Sequence, residues 1–274
     1  MRLRYRVTPV LCLAALLAAA PASAQYGAGG FSDPATGESY HVEIGGYLWN
    51  PTPTVLITSE SLGIIGTQID FIEDFQIEKA TFRQLKVVLR PGRKHKFRFE
   101  YTPISYENES ATLRRTIVFN GQRFDVALPI AAEMKWNAMR FGYEWDFVYR
   151  DRGFVGLLLE AKYTDVEATL ANVLVGEEFV RARAPIPAIG IIGRAYVVPN
   201  VSITGEFSGF RLPESIDENY RGRYYDFDLY GTVNFNDHIG AQAGYRSLTV
   251  FYRVDEDEGD LKMKGLYFGA VVRF

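Results

Sequence analysis

The C-terminal stretch Gly265-Leu266-Tyr267-Phe268-Gly269-Ala270-Val271-Val272-Arg273-Phe274 decides the fold. Leu266, Phe268, Ala270, Val272 and Phe274 alternate with Gly265, Tyr267, Gly269 and Arg273. Successive side chains of a strand point to opposite faces, so this period of two makes one face fit for lipid and leaves the other small or polar. The pattern recurs with a more strongly charged second face. His95, Phe97, Phe99 and Tyr101 alternate with Lys94, Lys96, Arg98 and Glu100. Met139, Phe141, Tyr143, Trp145 and Phe147 alternate with Arg140, Gly142, Glu144 and Asp146. Tyr225, Phe227, Leu229, Val233 and Phe235 alternate with Tyr224, Asp226, Asp228, Tyr230, Thr232 and Asn234.

Turn and breaker residues divide the chain into ten extended segments, over 40–50, 80–90, 94–107, 133–149, 153–165, 184–198, 201–211, 221–235, 238–253 and 261–274. They exceed the five or six residues of an ordinary strand and reach or pass the nine to eleven that a tilted membrane strand needs. Tight connections at Pro91-Gly92-Arg93, Arg150-Asp151-Arg152, Pro199-Asn200 and Asn236-Asp237 alternate with long ones over 51–79, 108–132, 166–183, 212–220 and 254–260. Short turns on one side and long loops on the other are the habit of a transmembrane antiparallel up-and-down β-barrel, and an even strand count puts both termini on the periplasmic side. Inside lipid every backbone amide and carbonyl must be paired, and a closed sheet has no open edge. Asn120-Gly121, between Thr116–Phe119 and Gln122–Val126, reads as a type I′ hairpin projecting beyond the membrane. If it spans instead, the all-β barrel has twelve strands; eight is the other alternative.

Arg2, Arg4 and Arg6, the apolar run Val10 to Ala20 and then Ala22-Ser23-Ala24 form a secretory leader over 1–24. The leader's cysteine, Cys12, is the only one, and Leu11 precedes it where a lipoprotein site needs a small residue, so disulfide and thiol chemistry are excluded from the mature part. Loss of the leader's arginines takes the net charge from −3 to about −6, which does not suggest nucleic acid as a partner. Mean hydropathy is −0.07, and the longest apolar candidate, Ala184 to Val198, is broken by Pro185, Pro187 and Arg194, which excludes a helical membrane protein. Gly27, Gly29 and Gly30 have no preceding strand and no following lysine, so 25–39 reads as a flexible lead-in rather than a phosphate loop.

With that leader and with the final strand Leu266 to Phe274, the chain resembles over 40–274 the small outer-membrane β-barrel proteins, the class of OmpA-like and OmpW-like barrels and the ten-stranded omptins. The resemblance implies that Phe274 is an insertion signal read by the barrel-assembly machinery, and that outer-membrane lipid and lipopolysaccharide surround the protein.

Read consistently, the alternation turns every apolar face to lipid and encloses the other. The lumen then receives Lys86, Arg90, Lys96, Arg98, Arg140, Lys162, Arg194, Arg246 and Arg273 against Glu43, Glu100, Glu144, Asp146, Glu160, Glu206, Asp226 and Asp228. So nearly balanced a set predicts pairing across the lumen and a plugged interior, because an unpaired buried charge is costly. Tyr47, Trp49, Tyr143, Trp145, Tyr149, Tyr163, Tyr225 and Tyr245 are expected in the interfacial girdles, and Trp136 near the outer rim. Some barrels of this class are enzymes with a catalytic histidine in the outer half, but His41, His95 and His238 all fall at the opposite end. No catalytic residue and no cofactor is expected. The loops are acidic, with Asp70, Glu73, Asp74 and Glu78, then Glu177 and Glu178, Asp217 and Glu218, and Asp255 to Asp260. They read as solvated faces, with weak divalent-cation binding by Asp255, Asp257 and Asp260 as the alternative. Three functional classes follow: a structural or surface-interaction barrel with an unidentified extracellular ligand, a narrow solute channel, and an outer-membrane enzyme acting on lipid or peptide.

Overall fold

The computed structural model describes residues 35–274 except 62–63, 127–128, 173–175, 213–219 and 255–256, so the leader lies outside the described residues. Strand β1 (Val42–Thr58) leads into three two-residue strands, β2 (Glu60–Ser61), β3 (Ile64–Ile65) and β4 (Ile69–Asp70), and a single helical turn, α1 (Phe71–Asp74). The Asp70 carboxylate caps that turn by accepting from the amides of Ile72 and Glu73. Then come β5 (Phe82–Gly92), β6 (His95–Thr112), the short pair β7 (Ile117–Phe119) and β8 (Gln122–Phe124), β9 (Pro129–Arg150) and β10 (Gly153–Asn172). The chain ends with β11 (Gly176–Val198), β12 (Val201–Arg211), β13 (Tyr220–Asn234), β14 (Ile239–Val254) and β15 (Asp257–Arg273).

The ten long strands pair antiparallel in the order β1-β5-β6-β9-β10-β11-β12-β13-β14-β15, and β15 returns to pair with β1 from Glu43↔Arg273 to Thr58↔Glu258. The wall is thus a closed ten-stranded barrel, with β4 added beside the far end of β1. Each of the ten expected segments is one strand. Several run further than expected on the long-loop side: β1 reaches Thr58, β10 reaches Asn172, and β9 and β11 begin at Pro129 and Gly176. Asn120 and Gly121 have φ of 48° and 77°, as a type I′ turn requires. That hairpin forms its own sheet of three-residue strands, which removes the twelve-stranded alternative. It folds over the mouth: the Thr67 amide donates to Val118 O at 2.9 Å and the Asn120 amide to Ser59 Oγ at 3.0 Å.

Around the short-turn half the exterior is apolar. Ile44, Leu48, Leu85, Phe97, Phe141 and Phe268 are 39–61% exposed, in a band that along the C-terminal segment runs from Leu266 to Phe274. Beyond it the two faces exchange chemistry. On β1 the outward residues become Asn50, Thr52 and Thr54 while Trp49, Val55 and Ile57 are buried inside. On β6 the inward series passes from Lys96, Arg98 and Glu100 to Ile104 and Tyr106, and on β9 from Glu144 and Arg140 to Trp136, Met134 and Ile130. There Phe71, Phe75, Ile117, Phe119 and Phe124 of the first two loops fill the barrel from above.

The expectation that every segment keeps its apolar side toward lipid therefore holds in one half and is corrected in the other. Where the exterior meets water the hydrophobic effect favours polar groups outside and a dry centre. Tyr47 and Trp49 are corrected with it. They share the inward parity of Glu43, are 5% and 0% exposed, and bond to Gln242 Oε1 and Gly265 O, so they belong to no girdle. Trp136 is likewise buried in the upper core rather than set at the rim. Trp145, Tyr163, Tyr225 and Tyr245 do face outward.

Candidate functional site

The antiparallel register places the lumen charges. Lys86↔Glu100, Glu100↔Arg140 and Arg140↔Lys162 are successive partners, so one rung of three cations around Glu100 crosses β5, β6, β9 and β10. A second rung, Glu206↔Asp228 and Asp228↔Arg246, crosses β12, β13 and β14 on the facing wall. All seventeen lumen charges expected from the alternation are buried.

The two walls are tied together through the axis. Glu206 accepts both Arg98 guanidinium contacts at 2.6 Å, the Lys86 ammonium at 3.3 Å and the Tyr230 hydroxyl at 2.9 Å. Strands β5 and β12 stand five places apart in a ring of ten, so the Lys86–Glu206 pair spans a diameter. Glu100 accepts from Arg140 and from Arg246 across the lumen. Asp226 takes Arg246 at 2.9 Å, Lys162 at 3.0 Å and Arg140 at 3.4 Å. Glu144 bridges Lys96 at 2.5 Å and Arg98 at 3.0 Å, Asp146 also faces Lys96 at 2.9 Å, and Glu160 lies 3.3 Å from Lys162. Asp228 accepts from the Tyr267 hydroxyl at 2.9 Å, and Glu43 pairs with Arg273 at 2.6 Å. Between Glu43, Lys86, Arg98 and Arg194 the remaining void is about 10 Å³, the room of one water.

Arg90 and Arg194 find their carboxylate outside the strands. Glu38 lies 3.3 Å from Arg90 and 2.9 Å from Arg194, and also accepts the Tyr196 hydroxyl. Thr36 and Gly37 are held by bonds to Pro199 O and Asp237 Oδ1. The flexible lead-in expected over 25–39 is corrected for Ala35–Ser39, which close the short-turn end of the lumen; 25–34 lie outside the described residues. Burial opposes ionisation of Glu38, but Arg194, Lys96 and Arg90 outweigh it and hold the carboxyl below the usual carboxylate range. A depressed pKa gives stability that is present above the unfolded value and lost as pH falls through the folded one. Wild type is therefore expected to lose thermal stability below about pH 4 through this group, and Glu38→Gln to lack that part of the pH dependence and about 2 kcal/mol at neutral pH. Melting of the detergent-solubilised protein against pH measures both.

Sequence reading missed Glu38 because its neighbours are Thr36, Gly37 and Ser39, with no strand periodicity to orient it. Tyr230, Tyr267 and Gln242, which complete the polar packing, were legible in parity but carry no charge to single them out. His41, His95 and His238 lie at the short-turn end, next to Arg90 O, Tyr143 Oη and Arg273 O. The suggested cation ligands do not converge: Asp257 and Asp260 are three apart on a strand and face opposite sides, and Asp260 is held by Lys262 at 3.0 Å. Asp255 lies outside the described residues. Phe274 docks its backbone on β1, donating to Val42 O at 2.9 Å, with its ring 66% exposed on the apolar band.

The closed ten-stranded wall matches the outer membrane protease OmpT from Escherichia coli at a TM-score of 0.56, with 8% identity, covering 89% of this chain and 99% of that one. The fold is that of an outer-membrane β-barrel. The attachment invasion locus protein Ail of Yersinia pestis aligns at a TM-score of 0.39 with 11% identity, covering 85% of this chain and 99% of Ail. The toluene transporter TodX of P. putida aligns at 0.36 with 8% identity, covering 89% and 93%. No protein-family profile and no curated protein matches the sequence.

Proposed function

We propose that this outer-membrane barrel is a non-catalytic structural or surface-interaction protein whose lumen is sealed, with both termini and the short turns on the periplasmic side and the lidded mouth outside. Lipid and lipopolysaccharide are its surroundings, and Phe274 is the residue the assembly machinery reads during insertion. The observation that carries the reading is the Lys86–Glu206 pair, which joins opposite walls at 3.3 Å in the middle of the path a solute would take. Above it lies the apolar core beneath the loop lid, and below it Glu38 joins Arg90 and Arg194. A conduit needs sites that an ion enters and leaves, and here Glu100, Glu144, Glu206 and Asp226 already hold cations of the protein itself.

Purified protein refolded into a planar bilayer is expected to give no single-channel steps. Reproducible steps from wild type would refute the sealed lumen. Hydrolysis of a peptide or lipid by pure protein, lost on replacing a residue at the loop end, would refute the non-catalytic assignment.

A further inference from the structure

The short-turn rim carries its positive charge on one side. The connections from β5 to β6 and from β9 to β10 hold Arg93, Lys94, Arg150 and Arg152 against the single acid Asp151, although the chain as a whole is acidic. Arg93, Lys94 and Arg150 are exposed. Across the barrel, the turns Pro199-Asn200 and Phe235 to His238 hold no lysine or arginine.

The two cationic turns are braced side by side. The Asp146 amide donates to Lys94 O at 2.8 Å, and one terminal nitrogen of the buried Arg90 donates to Arg93 O at 3.1 Å and to Tyr149 Oη at 2.9 Å, next to Arg150. Glu38 fixes Arg90 in turn.

The lipid-facing wall changes character in the same sector. His95 and Trp145 stand opposite one another on β6 and β9, and His95 Nδ1 lies 2.6 Å from Tyr143 Oη. Tyr143 meets Phe97 and Trp145 meets Phe147 at ring-centroid distances of 5.5 and 6.2 Å, and Phe97, Trp145 and Phe147 are exposed on the exterior. Rings with a polar edge favour the headgroup level. At the corresponding end of β13, β14 and β15 the outward residues are Val233, Ile239 and Val272, which have no polar atom in their side chains. A general girdle runs around a barrel, whereas here cations and polar-edged rings coincide over the β6–β9 seam and give way to aliphatic groups opposite.

Cations at the rim of an acyl layer, with amphipathic rings beneath them, fit a phosphate ester joined to acyl chains. We propose that the β6–β9 seam binds an anionic phospholipid of the leaflet at the short-turn end, its phosphate among Arg93, Lys94 and Arg150 and its chains along Phe97, Trp145 and Phe147. Lysine and arginine form charge-assisted bonds to phosphate, and at a membrane surface they favour anionic heads. A zwitterionic lipid offers the same phosphate but brings an ammonium group that the three cations repel, so the seam discriminates by head charge. The inference rests on the barrel spanning a membrane and is independent of whether its lumen is sealed.

The test uses the full chain in phosphatidylcholine vesicles that contain, at equal mole fraction, either phosphatidylglycerol or phosphatidylcholine brominated on its chains. Bromine quenches indole at short range, and Trp145 is the tryptophan that faces lipid, Trp49 and Trp136 being enclosed. The brominated phosphatidylglycerol is expected to quench more, corresponding to at least about threefold tighter occupation of the seam, and the excess falls as salt is raised. In R93Q/K94Q/R150Q the two lipids quench alike, while heat-modifiable migration stays that of wild type. R83Q/K264Q, which removes two exposed cations elsewhere on the wall, keeps the excess. Equal quenching by the two lipids in wild type, or an excess that survives the triple variant, would overturn the proposal. Quenching by neither lipid would count against the membrane barrel itself and the site with it, whereas equal quenching counts against the site alone.

Discussion

Glu206→Ala is expected to destabilise the folded barrel by about 3–5 kcal/mol, because it leaves Lys86 and Arg98 buried without their shared carboxylate. The magnitude separates two states of the lumen. In a water-filled passage the same ion pairs would be screened and exchangeable, and each would contribute about 0–1 kcal/mol. In a packed one the removal of one partner leaves a charge that has neither water nor counter-ion. The side chains of Lys86, Arg98 and Glu206 are only 10%, 4% and 3% exposed, which selects the larger figure. Guanidinium unfolding in micelles, followed by heat-modifiable migration, measures it. A companion Lys86→Met/Glu206→Leu replacement removes charge from both sides at similar volume and is expected to recover part of the loss, although Arg98 then relies on Glu144 alone. A loss below about 1 kcal/mol in Glu206→Ala would mean that water fills the lumen.

The alternation revealed most of this arrangement because strand parity is a covalent property. Once Phe97 and Phe141 face outward, Arg98 and Arg140 must face inward, and no distant contact can change that. Parity fixes the side of the wall a residue occupies but not the medium on that side. At Trp49 the outward series changes from Ile44 and Leu48 to Asn50, Thr52 and Thr54 while the inward series changes from Glu43 to Val55 and Ile57. Both series are printed in the sequence, and the change of phase between them is the signal for where lipid gives way to water. Assigning Tyr47 and Trp49 to an interfacial girdle followed ring chemistry at the cost of the parity they share with Glu43. The seal at the short-turn end was beyond such reading, because Glu38 reaches Arg194 from 156 residues away through an irregular segment with no repeat to reveal its direction.

The lipid-facing band predicts a reversal that a soluble protein would not show. Phe268 is 61% exposed, opposite Leu48 and Ala243 on the neighbouring strands, in the middle of the apolar exterior. In water, replacing so exposed a ring with arginine costs little and improves solubility. In a bilayer the guanidinium sits among acyl chains, and Phe268→Arg is expected to cost about 2–4 kcal/mol. Thr169→Arg provides the matched control. Thr169 also faces outward but lies beyond the apolar band, with Glu133 directly opposite it on β9, so the same charge is expected to change stability by less than about 1 kcal/mol. Unfolding of both variants in phosphatidylcholine vesicles gives the comparison, and repeating it in short-chain micelles narrows the gap, because a thin, deformable apolar layer lets arginine reach water. Equal stability of the two variants in vesicles would mean that Phe268 faces water, and the outward hydrophobic band would then have to be covered by another protein surface rather than by lipid.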